Sequence, residues 1–192
     1  DAVAAAGASD ASSNGGFTHY DWDGLANRQS CQMCHTSTGF VNYVADPVNY
    51  DPANNDFSHM VSNGQQELLY CWGCHSNAET GDLRVAGAVT TPYGVELPDA
   101  GNSNTCNVCH AGRGNNVTVS TSSRFAGHHA PAAATLYSAL THVGGEYPGL
   151  SYADQTYLAH AGLGADGAGP CVTCHMDGSN HEYAVVDKDA TG

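Results

Sequence analysis

Apolar residues along the chain fall into short, interrupted runs, and three of these runs have the spacing expected of short helices. They cover 64–75, 130–145 and 151–162. The second has a proline near its start and a glycine pair at its end, which is the usual punctuation of a helix. The third begins with Ser151 as a plausible N-cap and is followed by Gly162.

The rest of the pattern predicts little regular structure. Residues 83–97 and 115–125 alternate β-branched and smaller residues, which predicts a small hairpin or sheet. Residues 1–16 are small and turn-rich, and we expect a flexible or interface tail there. The expected fold is therefore mostly irregular, with short α-helices and a little β-structure, in a single domain over 17–192.

Composition indicates that apolar packing alone is a weak basis for this fold. Only 41% of the 192 residues are hydrophobic, with 2 Trp and 4 Phe. Chains of this kind usually need disulfides or bound cofactors to be stable. With 5 Lys+Arg against 19 Asp+Glu, the formal charge of −14 argues against nucleic acid or an anionic membrane surface as a partner. No apolar run approaches the roughly 18 residues of a membrane span.

All eight cysteines lie in four copies of one five-residue frame, Cys-x-x-Cys-His, which start at residues 31, 71, 106 and 171. We number these frames 1 to 4 in chain order. A redox dithiol needs only one such pair beside a βαβ pattern. A Cys₄ zinc site or a disulfide scaffold does not explain the histidine. Covalent attachment of c-type haem explains all three positions, because the thiols form thioethers with the two vinyl groups and the imidazole ligates iron.

The frames therefore predict four haems c and assign twelve residues to them. The thioether cysteines are Cys31, Cys34, Cys71, Cys74, Cys106, Cys109, Cys171 and Cys174, and the proximal iron ligands are His35, His75, His110 and His175. With so little apolar protein, most of the predicted core is porphyrin, in a multihaem cytochrome c fold wrapped around a stack of four haems. We also expect the haem-free chain to be unfolded.

The second axial ligand of each iron is predicted to be histidine. Methionine is the alternative, but Met33 and Met176 lie within or just after a frame, and only Met60 remains. A chain with 11 His and only 5 Lys+Arg is rich in imidazole rather than in positive charge. We expect bis-histidine, low-spin haems of low potential, whose saturated iron transfers electrons and does not bind substrate. The seven remaining histidines are His19, His59, His128, His129, His142, His160 and His181.

The frames and their flanking phrases resemble a known group of proteins. The phrases "FTHYDWDGLANRQSCQMCHTSTGF", "NNDFSHM", "HHAPAAATLY" and "GPCVTCHM" are among those that carry the resemblance, which runs through most of 17–183. The chain is similar to the small tetrahaem, extracellular multihaem cytochromes that polymerise into nanowires, the OmcE-like group. The resemblance implies bis-histidine haems in an ordered stack, with one haem ligated by a histidine of the adjacent subunit.

The same resemblance ranks the distal ligands. Matching phrases contain five candidates for four places, and His129 and His142 are ranked as spares. The tail before His19 favours that residue as the ligand that crosses the subunit interface. The candidates are His19, His59, His128, His160 and His181.

The expected function is that of an electron-conducting subunit of a secreted, extracellular filament. Its partners are further copies of itself, redox donors and extracellular acceptors. Because this haem chemistry requires export, we expect a mature chain from which a signal peptide has been removed. A soluble periplasmic tetrahaem shuttle is the alternative. A multihaem reductase is less favoured, because all four frames end in histidine and seven more are available as ligands.

Overall fold

A computed structural model describes residues 22, 26–59, 67–114, 130–137, 160, 162–164, 166–176, 178, 181 and 183. Within these residues the backbone is mostly irregular, with short helices and one two-stranded sheet, which agrees with the expected fold class. The chain divides into two compact units, 1–85 and 86–192. The single domain expected over 17–192 stays a prediction.

The first unit contains frames 1 and 2 among short elements. They are a 3₁₀ helix Ala26–Cys31, α1 Gln32–His35, α2 Ser37–Ala45, a 3₁₀ turn Pro52–Asn54, α3 Cys71–Cys74, β1 His75–Asn77 and β2 Asp82–Leu83. The strands β1 and β2 pair antiparallel. The chain turns sharply between α1 and α2 because Thr36 is extended, and its hydroxyl accepts a hydrogen bond from Gly39 N at 2.9 Å. Gly39 packs so closely on the Gln32 carbonyl that a side chain there would collide with it.

The helix predicted over 64–75 is wrong for most of its described part. Residues 67–70 are not helical, α3 covers only Cys71–Cys74, and His75 already lies in β1. Backbone groups that a helix would use bind Ser37 instead. Leu68 O accepts from Ser37 N, and Tyr70 N donates to Ser37 Oγ at 2.7 Å. A long-range contact thus overrides the local helical pattern.

The second unit contains frames 3 and 4, each in a seven-residue helix. Its elements are a 3₁₀ turn Gly101–Ser103, α4 Asn104–His110, α5 Ala132–Leu136 and α6 Gly169–His175. The predicted helix at 130–145 is confirmed over Ala132–Leu136 (α5), and its residues 138–145 lie outside the described residues. In the predicted helix 151–162 only residues 160 and 162 are described, and His160 is helical. The small hairpin or sheet predicted over 83–97 is present as the end of β2 and an isolated antiparallel bridge between Thr90 and Glu96. The segment 115–125 lies outside the described residues.

The protein core in both units is thin and unusually polar. Buried polar side chains are nearly as numerous as buried apolar ones among the described residues, and many of them bond to backbone groups or to other side chains. In the first unit, for example, Asn55 Nδ2 donates to Gln32 Oε1 at 2.7 Å, and Gln32 Nε2 donates to Trp22 O at 3.2 Å. Hydrogen bonding of this kind is what allows polar groups to be buried. None of the described helices is long and apolar enough to cross a membrane.

Candidate haem-binding site

Each frame places its two cysteines three positions apart in helical backbone. Frame 1 spans the end of the first 3₁₀ helix and α1, frame 2 spans α3 and the first residue of β1, and frames 3 and 4 lie in α4 and α6. Residues three apart share one face of a helix, so the two thiols of a frame point to the same side. All eight cysteines are described and none is in a disulfide; Cys71 is exposed and the others are half-buried. Four thiol pairs are thus each available to one planar group.

Two proximal histidines have the orientation that iron ligation needs. The Nδ1 atom of His75 lies 2.9 Å from Gly81 O, and Nδ1 of His175 lies 2.9 Å from Tyr183 O. A carbonyl oxygen only accepts hydrogen bonds, so in a neutral ring Nδ1 carries the proton and the lone pair is on Nε2. A backbone carbonyl on the second ring nitrogen is also the usual support of a metal-ligating histidine. The residues of frames 2 and 4 therefore fit haem.

Frames 1 and 2 are joined through Ser37, which follows His35 by two residues. The Ser37 hydroxyl donates to Leu68 O at 3.1 Å and accepts from Tyr70 N at 2.7 Å, just before Cys71. Gly73, inside frame 2, also packs against Ser37. The first two frames are therefore neighbours in space.

A buried carboxylate, Glu67, supports the contact through Ser37 that joins frames 1 and 2, which we call the first junction. Its side chain is fully buried, accepts from Thr38 Oγ1 at 2.8 Å and also from Thr38 N at the start of α2. Its Oε2 lies 2.9 Å from His59 Nε2, while its carbonyl accepts from Trp22 Nε1 at 2.8 Å. A carboxylate near the first turn of a helix is also favoured by the helix dipole. Glu67 thus connects α2, the loop that contains His59 and the residues just before frame 2.

Frames 3 and 4 are joined in the second unit through Ser103. Its hydroxyl donates to Ala168 O at 2.8 Å and accepts from Val172 N at 3.1 Å. Gly169, with φ +74°, lies against Ala100 O and Ser103, so that a Cβ there would collide with both. The segments that lead into the two frames approach each other at this glycine.

The first cysteines of frames 3 and 4 are also close together. Cys171 Sγ contacts Asn107 Oδ1 at 3.7 Å. A hydrogen bond with Cys106 is the main cause that lowers the pKa of the Cys171 thiol to about 7. A thiol with a lowered pKa is a better nucleophile near neutral pH, which suits thioether formation. The contacts of Cys171 with Asn107 and with Cys106 also show that the attachment points of these two frames are adjacent.

The structure describes three of the five candidate distal histidines. His59 is half-exposed, with Nε2 on Glu67 and its ring edge-on to Trp72 at 6.3 Å, so ligation through Nε2 requires the Glu67 contact to open. His160 is exposed, and so is His181, whose ring lies edge-on to Tyr183 at 6.1 Å. The candidates His19 and His128 and the spares His129 and His142 lie outside the described residues. The distal ligand assignments stay predictions.

Sequence reasoning did not find the residues that hold the frames in pairs, namely Ser37, Glu67 and Ser103. Most of their partners are 29 to 69 positions away along the chain, and no local pattern marks them. In the described part of the chain, no three His, Cys, Asp or Glu side chains are arranged to hold a metal ion.

Comparisons with known proteins agree with the haem interpretation. Residues 1–84 match the family "C-type polyheme cytochrome domain 2", and this match ends next to the boundary between the two units. The chain is 41% identical over 212 aligned positions to C-type polyheme cytochrome OmcB of Geobacter sulfurreducens, covering 92% of this chain and 28% of that protein. It is 38% identical over 230 positions to C-type polyheme cytochrome OmcC of the same organism, covering 100% of this chain and 29% of that protein.

The chain thus spans less than a third of the length of these relatives. No solved structure matches it. The similarity supports a multihaem c-type cytochrome. Membership of the OmcE-like group, suggested by the flanking phrases, is a finer assignment than this similarity and stays a prediction.

Proposed function

We propose that this chain is an electron-transfer unit that carries four c-type haems, held as two neighbouring pairs. Bound haem supplies one-electron redox chemistry at iron, while the protein attaches it, orients it and limits access of solvent. The observation that carries the proposal is the imidazole orientation in frames 2 and 4, where a carbonyl fixes the proton on Nδ1. That arrangement serves a metal at Nε2 and has no role in a disulfide scaffold.

Pairing of the frames supports electron transfer over simple haem storage. Ser37 links frame 1 to frame 2, and Ser103 links frame 3 to frame 4. Two attachment sites in direct contact hold their haems as neighbours, and electrons pass readily only between redox groups that are close. Histidine at both axial positions, with distal ligands drawn from His19, His59, His128, His160 and His181, saturates the iron and favours outer-sphere transfer over catalysis.

The experiment that tests electron transfer is a spectroelectrochemical titration of the haem-loaded protein. We expect four electrons per chain, in steps at low potential, and an oxidised spectrum of low-spin iron only. Fewer than four electrons would overturn the stoichiometry. A high-spin component would reveal an open iron position and revive the reductase alternative.

The finer proposal is that the chain is a subunit of an extracellular filament, with His19 ligating a haem of the next copy. The flanking phrases that resemble the filament-forming tetrahaem group support it. The strongly acidic composition suits a soluble, exported protein. A soluble periplasmic shuttle shares every haem argument and differs only in lacking the polymer.

Negative-stain imaging of the native protein separates these two readings, because the shuttle forms no filaments. In the filament, H19A should break the polymer and leave the other haems six-coordinate. The matched control is H142A, which removes a histidine ranked as a spare and should leave filaments intact. Filaments that persist in H19A would refute the choice of bridging ligand.

A further inference from the structure

Arg84 binds the backbone of frame 2 at three points. Its Nε donates to Gly73 O at 2.9 Å, and its Nη2 donates to Trp72 O at 2.8 Å and to His75 O at 3.3 Å. The last carbonyls of a helix have no partner within the helix, and arginine is a common donor to them. Because α3 is only one turn long, this side chain satisfies most of its C-terminal end.

The chain reaches this position through the hairpin that follows frame 2. Strand β1 begins at His75 itself, and β2 returns antiparallel to it, with Gly81 in the turn at φ +79°. This return brings Gly81 O to His75 Nδ1 and Arg84 N to Cys74 O at 2.7 Å. The hairpin therefore fixes the proximal imidazole and the guanidinium in one small structure on frame 2.

A cation at this place is unusual in this chain. Only five of the 192 residues are Lys or Arg, against 19 Asp and Glu. The guanidinium keeps its charge at all ordinary pH values.

A positive charge near an iron centre stabilises the state that holds one more electron. Reduction of ferric haem adds one electron from the reductant and removes one unit of positive charge at iron. Attraction between charges a few ångströms from a partly buried site is much stronger than in bulk water. Surrounding charge and hydrogen bonding are among the features by which a protein adjusts a haem potential.

We propose that Arg84 is a positioning residue that holds frame 2 and raises the reduction potential of the haem attached there. The inference rests on the proposed function, since it needs a haem on Cys71 and Cys74. Arg84 thereby makes this haem a better electron acceptor than its frame alone would make it.

The test compares R84Q and R84K with the wild-type protein in a redox titration, after haem content has been counted for each. R84Q removes the charge, and we expect one of the four redox steps to move to lower potential. At a fixed potential near that step, the ratio of reduced to oxidised haem should fall about tenfold, which is about 59 mV for one electron. R84K keeps the charge and should remain near the wild-type value below pH 9.

The matched control is R113Q, which removes one positive charge from the second unit. It should leave unchanged the step that R84Q moves. If R84Q moves no step, or R84Q and R84K move it equally, the electrostatic role of Arg84 is refuted. A wild-type protein without haem would instead refute the proposed function itself.

A second measurement covers the case in which R84Q fails to take up four haems. In R84K the substituted amine loses its charge as the pH rises through about 10.4, whereas the wild-type guanidinium does not. The affected step should fall in R84K relative to wild type over that pH range. Identical pH dependence in the two proteins would overturn the proposal.

Discussion

In each unit a serine side chain joins two haem-attachment frames, and different residues support the two serines. In each unit a serine hydroxyl donates to the carbonyl three residues before the first cysteine of the later frame and accepts a nearby backbone N–H. Ser37 does this with Leu68 and Tyr70, and Ser103 does it with Ala168 and Val172. A small buried hydroxyl can satisfy both backbone groups, which a helix or strand would otherwise have to pair.

The supports around the two serines differ. In the first unit a buried carboxylate, Glu67, gathers Thr38 and His59 beside the junction. In the second unit close backbone contact takes that place: Gly169 lies against Ala100 O, and Asn102 N donates to Gly167 O at 2.8 Å. The comparison shows that the first junction depends on charge-assisted hydrogen bonds and the second on the absence of a side chain.

The largest effect should come from adding a side chain at Gly169. This residue lies in the second junction, where Ser103 joins frames 3 and 4. G169A places a Cβ against backbone and Ser103 at a positive φ, and we expect a loss of at least about 2 kcal/mol in the free energy of unfolding. Thermal unfolding of the haem-loaded protein measures this loss. The control is G87A, where a Cβ meets nothing within 4 Å. Equal stability of the two variants would show that close contact at Gly169 is not needed.

The second effect concerns the carboxylate of the first junction. E67A removes the acceptor of two partly buried donors of Thr38, and we expect about 1–3 kcal/mol of destabilisation, measured in the same way. E67Q keeps an acceptor in place and should lose less. If E67A were neutral, the first junction would not depend on Glu67, and the contrast between the two units would disappear.

The third effect tests the serine contact that is found in both units. S37A and S103A each remove one hydroxyl that makes two hydrogen bonds, and each should cost about 1–3 kcal/mol. Similar losses are expected because the contacts are alike. A large loss in one variant and none in the other would mean that the resemblance between the junctions is only geometric.

The smallest effect concerns acid stability of the second unit. Hydrogen bonds from Asn104 and from Gly101 N hold the pKa of the Asp99 carboxyl below its ordinary value. Its contribution is therefore present above the unfolded pKa near 3.8 and is lost as the pH falls through the folded pKa. D99N should show a shallower loss of stability on acidification than wild type. An identical acid profile for the two proteins would remove Asp99 from the account.

The sequence assigns chemistry to particular residues but does not show the structure around them. The frames assign haem attachment to eight cysteines and iron ligation to four histidines because these reactions need fixed residue types at adjacent positions, and this assignment stays a prediction. The irregular fold was also foreseen, since the apolar residues are too few and too scattered for a large protein core. The helix over 64–75 was wrong because Ser37, some 30 positions away, takes its backbone groups. Glu67 and Ser103 contact residues that are distant along the chain, and Arg84 reaches frame 2 through a hairpin. No local pattern in the sequence shows these contacts.

The central claim is that four haems are covalently attached to this chain, one at each frame. Its most direct test is the mass of the intact protein produced in a host that attaches c-type haem. We predict the mass of the polypeptide plus four haems, with peptide fragments assigning one haem to each pair of cysteines. A mass equal to the polypeptide alone, or a chain with zinc in place of haem iron, would contradict the account.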